Sequence, residues 1–166
     1  MKYILEIRNL SGGYVPLINI LQDVSLELVN GETVSIIGLN GSGKSTLGKA
    51  VMNMLPYRDG DILFEGRSVA GFATHDLARI GMAFMLQGGQ VFKSLSVQEN
   101  LQLAFRRQND KSYITLLESI IPLFQDSGND LGSKMADKLS GRQRQQLALA
   151  MALAVKPRLL ILDEPS

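Results

Sequence analysis

Gly38-Leu39-Asn40-Gly41-Ser42-Gly43-Lys44-Ser45 matches every fixed position of the pattern G-x-x-x-x-G-K-S/T. Glycines at those places let backbone N–H groups turn inward around a phosphate, and a helix leaving the loop adds its positive dipole end. Lys44 would supply a point charge to β- and γ-phosphates, and Ser45 a hydroxyl for Mg²⁺. A glycine-rich turn can match such a pattern by accident, so the flanking residues matter. Thr33-Val34-Ser35-Ile36-Ile37 is β-branched and mostly apolar, which predicts a buried strand before the loop. Leu47, Val51 and Leu55 recur four apart, with Ala50 and Met54 beside them, which predicts a helix from Thr46 to Leu55 with one apolar face.

A second pair of chemistry-bearing residues stands near the other end. Leu159-Leu160-Ile161-Leu162 runs directly into Asp163-Glu164. An apolar run of this kind reads as a buried parallel strand, and ligands of such sheets lie beyond the strand's carboxyl end. Asp163 would then hold Mg²⁺ through water, and Glu164 would polarise an attacking water as general base. Two acids after a strand also describe a solvated turn. The phosphate loop tips the reading toward chemistry.

The elements that must position these groups follow from periodicity and punctuation. Residues 2–8 and 22–29 alternate apolar with polar, with Val24, Leu26 and Leu28 on one side, and suggest strands of an antiparallel layer. Asn30-Gly31 is a turn pair. Pro56 closes the first helix, and Asp59-Gly60 reads as a turn into a hairpin region at 61–64. Residues 75–80 predict a short helix and 81–86 a strand. Ser96-Val97-Gln98-Glu99 has the form of a capping box opening a helix to about Phe105. Residues 106–111 read as a loop, 113–121 as an amphipathic helix stopped by Pro122, and 125–133 as turn-rich. A long helix is predicted from Arg142 to Val155, with Ser140 as its N-cap, followed by a break at Lys156-Pro157. The middle, about 88–138, is thus predicted to be mostly helical and inserted between strands of an α/β core.

Composition excludes several classes. Seventeen basic and sixteen acidic side chains leave a net charge of +1, so nothing electrostatic points to nucleic acid as a partner. The absence of cysteine removes disulfides and thiolate metal sites. Glu6 comes too early for a secretory signal. The longest apolar run, 147–155, is far shorter than the roughly 20 residues a membrane-spanning helix needs, so the chain is expected to be soluble on its own. His75 reads as a surface residue.

Leu139-Ser140-Gly141-Arg142-Gln143 precedes the acidic strand by about twenty residues. With the phosphate loop it resembles the ATP-binding-cassette (ABC) ATPases, whose signature is LSGGQ, and the stretch from Leu139 to Ser166 resembles that family's signature helix and acidic strand. The resemblance covers the whole chain with four motifs in order. It implies an α/β fold, a P-loop NTPase core with an antiparallel β layer and a helical subdomain at about 88–138, in one domain spanning 1–166. It further implies an ATPase with ATP and Mg²⁺ as cofactors. ATP would be bound by Tyr14, stacking on adenine, and by Gly38, Leu39, Asn40, Gly41, Ser42, Gly43, Lys44, Ser45 and Thr46. Glu164, Lys44 and the lid glutamine Gln87 would be catalytic, and Ser45, Gln87 and Asp163 would hold the metal. Ser140, Gly141, Arg142 and Gln143 would engage ATP bound to a second, identical or different ATPase subunit. Membrane-spanning permease subunits would be the other partners, placing the chain in the cytoplasm, peripheral at the inner face of the membrane. Ser11-Gly12-Gly13-Tyr14 and the run from Gln87 to Leu101 look most like the ATPase subunits of branched-chain amino acid and urea importers.

Three departures from that family stand out. The chain ends at Ser166, where the family continues with a partner-contacting loop, a strand and a γ-phosphate-sensing histidine, so the domain is expected to be incomplete at its C-terminus. Arg142 replaces the second signature glycine, which either crowds the nucleotide or adds a positive group. Leu86 replaces a proline before the lid glutamine. A hydrolysis-defective nucleotide-binding or regulatory module, or a non-transport cytosolic ABC ATPase, is the alternative to an importer subunit.

Overall fold

The computed structural model describes residues 3–105 and 131–164, and they fall into two compact units that divide between Met82 and Ala83. The predicted loop at 106–111 and helix at 113–121 lie outside the described residues, as does most of 125–133.

The first unit is built on a four-stranded sheet of β1 (Tyr3–Gly13), β2 (Leu21–Val29), β3 (Tyr57–Phe64) and β4 (Arg67–Ser68), in the order β2-β1-β3-β4. All three pairings are antiparallel, as the alternation of 2–8 and 22–29 predicts. Helix α1 (Lys44–Val51) and the short helix α2 (Thr74–Arg79) complete the unit. Helix α1 ends four residues before the predicted Leu55. Leu47, Ala50, Val51 and Leu55 are buried as the apolar spacing requires, but Met54 is exposed. The Asn53 amide ties the end of α1 to the sheet side: its Nδ2 donates to Val69 O (2.6 Å) and Phe72 O (2.9 Å), and its Oδ1 accepts from Arg58 Nη2 (2.8 Å). Burial lowers the pKa of Arg58 below its ordinary value, against the opposing pull of Asp61.

Two expectations are overturned here. Asp59-Gly60 is not a turn; β3 runs straight through it. Between Ile7 and Leu10, β1 carries one residue more than β2, and between Arg8 and Ser11 one more than β3. Asn9, at φ 49°, lies in that β-bulge, and its carbonyl crosses the Cα of Gly60. A Cβ on Gly60 would lie 2.5 Å from Asn9 O, at φ +92°. Overpacking and left-handed strain together predict that Gly60→Ala destabilises the chain by about 2–4 kcal/mol, measurable as a lower urea midpoint. The second correction concerns 33–37, predicted as a buried strand. No strand pairs with it among the described residues, and Val34, Ile36 and Ile37 are exposed. β-Branched residues favour an extended backbone, but burial and strand status come from neighbours that supply the hydrogen-bond ladder.

The second unit pairs β5 (Met82–Met85) with β6 (Leu159–Leu162), and packs α3 (Val97–Phe105) against α4 (Gly141–Ala154). Leu159 is buried while Leu162 is exposed, so only the start of the predicted buried strand is covered. Val97, Leu101, Ala136, Leu139, Leu147, Ala150 and Ala154 form one apolar cluster. Helix α3 opens with the predicted capping box: Ser96 N donates to Glu99 Oε2 (2.7 Å), and Glu99 N to Ser96 Oγ (3.1 Å). These bonds hold the Glu99 carboxyl below its ordinary pKa. Its stabilising effect is therefore present above the unfolded carboxylate pKa and is lost as pH falls through the lower folded one.

Candidate functional site

In the first unit, Gly43 sits at φ +95° as the N-cap of α1, and Leu47 N closes the first helical turn on Gly43 O at 2.9 Å. Upstream, Ser42 N donates to Leu39 O (3.1 Å), and Gly41 is at φ +83°. A Cβ on Gly38 would meet Ser42 Oγ at 2.7 Å, so the loop is drawn tightly onto itself. Lys44 folds back over this loop, its Nζ donating to Gly38 O and Leu39 O at 2.9 Å each. The ammonium therefore rests inside the ring of residues expected to cradle phosphate. Leu39 and Asn40 are exposed, Lys44 and Ser45 half-buried, and Thr46 buried.

Tyr14 lies against the start of α1. Its hydroxyl stands 3.5 Å from Thr46 Oγ1, and Lys49 Nζ sits 5.4 Å from its ring centroid. One ring face thus carries a cation, while 42% of the residue stays accessible. His75 is exposed beside Asp76 and Arg79, as expected of a surface residue.

In the second unit, Asp163 N donates to Met85 O at 3.0 Å, so β5 and β6 end side by side. Gln87 follows one strand and Glu164 the other. The Gln87 side-chain amide donates a hydrogen bond to Glu164 Oε2, joining residues 77 positions apart. Asp163 is buried, and Glu164 is exposed at φ 46°, an uncommon backbone for a residue with a Cβ.

The signature residues open α4. Ser140 Oγ accepts from Gln143 N (3.2 Å) and Gln143 Oε1 accepts from Ser140 N (3.0 Å), a full capping box. The expected N-cap is confirmed. The reciprocal bond from Gln143 was missed, although serine with glutamine three residues on is the signal that located the cap of α3. Arg144 Nη1 secures Leu139 O at 2.8 Å. Arg142 is exposed on the first turn, and the space a Cβ on Gly141 would enter is open. Sequence reasoning also missed Asn100, fully buried on α3, and Gly89, buried two residues after Gln87.

A loop of the form G-x-x-x-x-G-K-S that caps a helix, in a chain of mixed strands and helices, is the phosphate loop of a P-loop NTPase of α/β architecture. Among solved structures, one described as the ATP-binding subunit of an ABC transporter superposes with a TM-score of 0.81 at 29% identity, covering 98% of this chain and 66% of that one. Residues 21–166 match the family model described as ABC transporter. The chain belongs to that family. It is 35% identical over 153 residues to the high-affinity branched-chain amino acid transport ATP-binding protein BraG of Pseudomonas aeruginosa, covering 92% of this chain and 65% of that protein. It is 31% identical over 147 residues to the lipopolysaccharide export system ATP-binding protein LptB of Escherichia coli K12, covering 88% of this chain and 61% of that protein. The chain thus spans just under two thirds of the length of these curated relatives.

Proposed function

We propose that this chain is the ATP-binding and ATP-hydrolysing part of a solute importer. The observation that carries the reading is the Gln87–Glu164 hydrogen bond, which sets a carboxylate and an amide at the ends of two neighbouring strands. In this reading Gly38, Leu39, Asn40, Gly41, Ser42, Gly43, Lys44, Ser45 and Thr46 wrap the phosphates, with Lys44 exchanging its two carbonyl partners for phosphate oxygens. Tyr14 offers its free face to adenine. Glu164 takes a proton from the attacking water, and Gln87 holds the carboxylate in place. Ser140, Gly141, Arg142 and Gln143 present the capped N-terminus of α4 to ATP on a second ATPase subunit. Residues 88–138 serve as the helical subdomain of a single domain.

Magnesium fits the donor chemistry. Ser45, Gln87 and Asp163 offer a hydroxyl, an amide oxygen and a carboxylate, the hard oxygen ligands this ion takes. The Gln87 nitrogen is engaged by Glu164, so a cation would be met by its amide oxygen. When bound, Mg²⁺ neutralises charge on the β- and γ-phosphates.

Membrane permease subunits are the partners in this reading, at the inner face of the membrane. No helix among the described residues is long and apolar enough to cross it. The named relatives include both an amino acid transport protein and an export protein, so direction rests on the likeness of residues 11–14 and 87–101 to branched-chain importers. Deleting the gene should abolish high-affinity uptake of radiolabelled branched-chain amino acids or urea, with rescue by the parent gene but not by Lys44→Ala. Unchanged uptake of all of them would remove the import assignment. Arg142 favours a second reading, a nucleotide-binding regulator: a charged side chain replaces a glycine that lets backbone approach phosphate. Tight nucleotide binding without phosphate release, with release gained in Arg142→Gly, would select it.

A further inference from the structure

Gln87 stands two residues after Met85, whose carbonyl is fixed by Asp163 N, and two residues before Gly89. Gly89 is buried at φ +63°, and a Cβ built on it would lie 2.8 Å from Gln145 Cα, 2.9 Å from Gln145 N and 3.0 Å from Arg144 C. All three are main-chain atoms of α4, held by the helix's own hydrogen bonds, so the helix cannot yield locally. Gly88 makes an instructive contrast. Its φ is +82°, yet a Cβ there would meet nothing within 4 Å.

The chain beyond Gly89 is fastened just as firmly. Asn100, fully buried on α3, accepts from Phe92 N (2.8 Å) and donates through Nδ2 to Phe92 O (3.0 Å), Ser96 O (2.9 Å) and Leu95 O (3.3 Å). Three backbone bonds then pin this stretch to the segment leading into the signature: Asp137 N to Lys93 O, Ala136 N to Leu95 O and Val97 N to Lys134 O, at 3.2, 2.9 and 3.0 Å. A buried amide with this many partners is a rigid fastener, because any displacement leaves polar groups unpaired away from water.

We infer that Gly89 and Asn100 are positioning residues for Gln87: they lock residues 89–97 to α4 and α3, and so fix where the Gln87 amide meets Glu164. The inference rests on reading Gln87 and Glu164 as a working pair, but its test does not require ATP hydrolysis. An alanine at 89 must move the loop off α4 by about 0.6 Å, from 2.8 Å to ordinary contact at 3.4 Å. A two-residue span transmits that shift to Gln87, changing the length and angle of its bond to Glu164.

The side-chain amide resonance of Gln87 is read in the ¹⁵N-labelled 166-residue chain, assigned by its loss in Gln87→Met. Glu164→Ala marks its position when the bond is absent. Gly89→Ala and Asn100→Ala should both move the resonance toward that position, and Gly88→Ala, also at positive φ but with no contact, should leave it near the parent's. Where turnover is measurable, Gly89→Ala should lower kcat by about ten- to a hundred-fold with the KM for ATP within two-fold. The double variant Gln87→Ala/Gly89→Ala should be no slower than Gln87→Ala alone. An unmoved Gln87 resonance in a folded Gly89→Ala chain, or equal effects of Gly88→Ala and Gly89→Ala, would overturn the inference. If Gly89→Ala fails to fold, an unmoved resonance in Asn100→Ala does the same.

Discussion

Glu164→Gln is expected to lower ATP turnover by about 10²–10⁴ while nucleotide affinity stays near the parent value. Glutamine keeps the shape of the side chain and still offers an oxygen to the Gln87 amide, so the hydrogen bond that joins the ends of β5 and β6 survives. What disappears is the capacity to take a proton. The backbone at 164 lies at φ 46° in the parent and makes no new demand on glutamine, which has the same Cβ. Loss of turnover would therefore report chemistry rather than misfolding. The measurement is phosphate release at saturating Mg-ATP, with affinity from titration of a non-hydrolysable analogue. Turnover at the parent rate would move the general base elsewhere.

Lys44→Ala should weaken ATP binding by roughly ten-fold or more, since a charge-assisted hydrogen bond contributes about 1.5–3 kcal/mol and about 1.4 kcal/mol corresponds to ten-fold. In the free chain the ammonium is held by two carbonyl oxygens, Gly38 O and Leu39 O, and must release them to reach phosphate. The net gain is therefore smaller than a bare cation meeting a phosphate would supply. That partial offset keeps the expected loss at the ten-fold scale rather than abolishing binding. Lys44 is half-buried at the first residue of α1, outside the apolar face, so the fold should persist in a circular dichroism melt. Isothermal titration calorimetry with unchanged affinity in a folded variant would remove the phosphate-cradle assignment. Arginine is not a neutral control here, because its planar fork would need a different approach to the loop carbonyls.

Both substitutions concern residues that were identifiable before any coordinates, and the reason is locality. The glycine loop, the Ser96–Glu99 box and the Ser140 cap each involve partners within a few residues, so spacing alone places the hydrogen bonds. The alternation in β1 and β2 was legible for a similar reason: successive side chains point to opposite faces whatever the partner strand is. Where the neighbour is remote, sequence rules failed. Asp59-Gly60 has the composition of a turn, but the bulge at Asn9 on another strand makes it the middle of β3. The run 33–37 has strand composition, yet burial is supplied by partners and not by residue type.

The site divides along the same line. The sequence by itself determined which residues cap the helices and which carry the chemistry proposed for phosphate and proton, because those capacities belong to side-chain type and short-range backbone geometry. Only the tertiary structure decided that Gln87 meets Glu164 across 77 residues, that Asn100 fastens Phe92 to Ser96, and that Gly89 is glycine because the backbone of α4 occupies its Cβ space. Contacts between distant segments depend on where β5, β6 and α4 come to rest, and packing sets that placement without leaving a periodic trace in the chain.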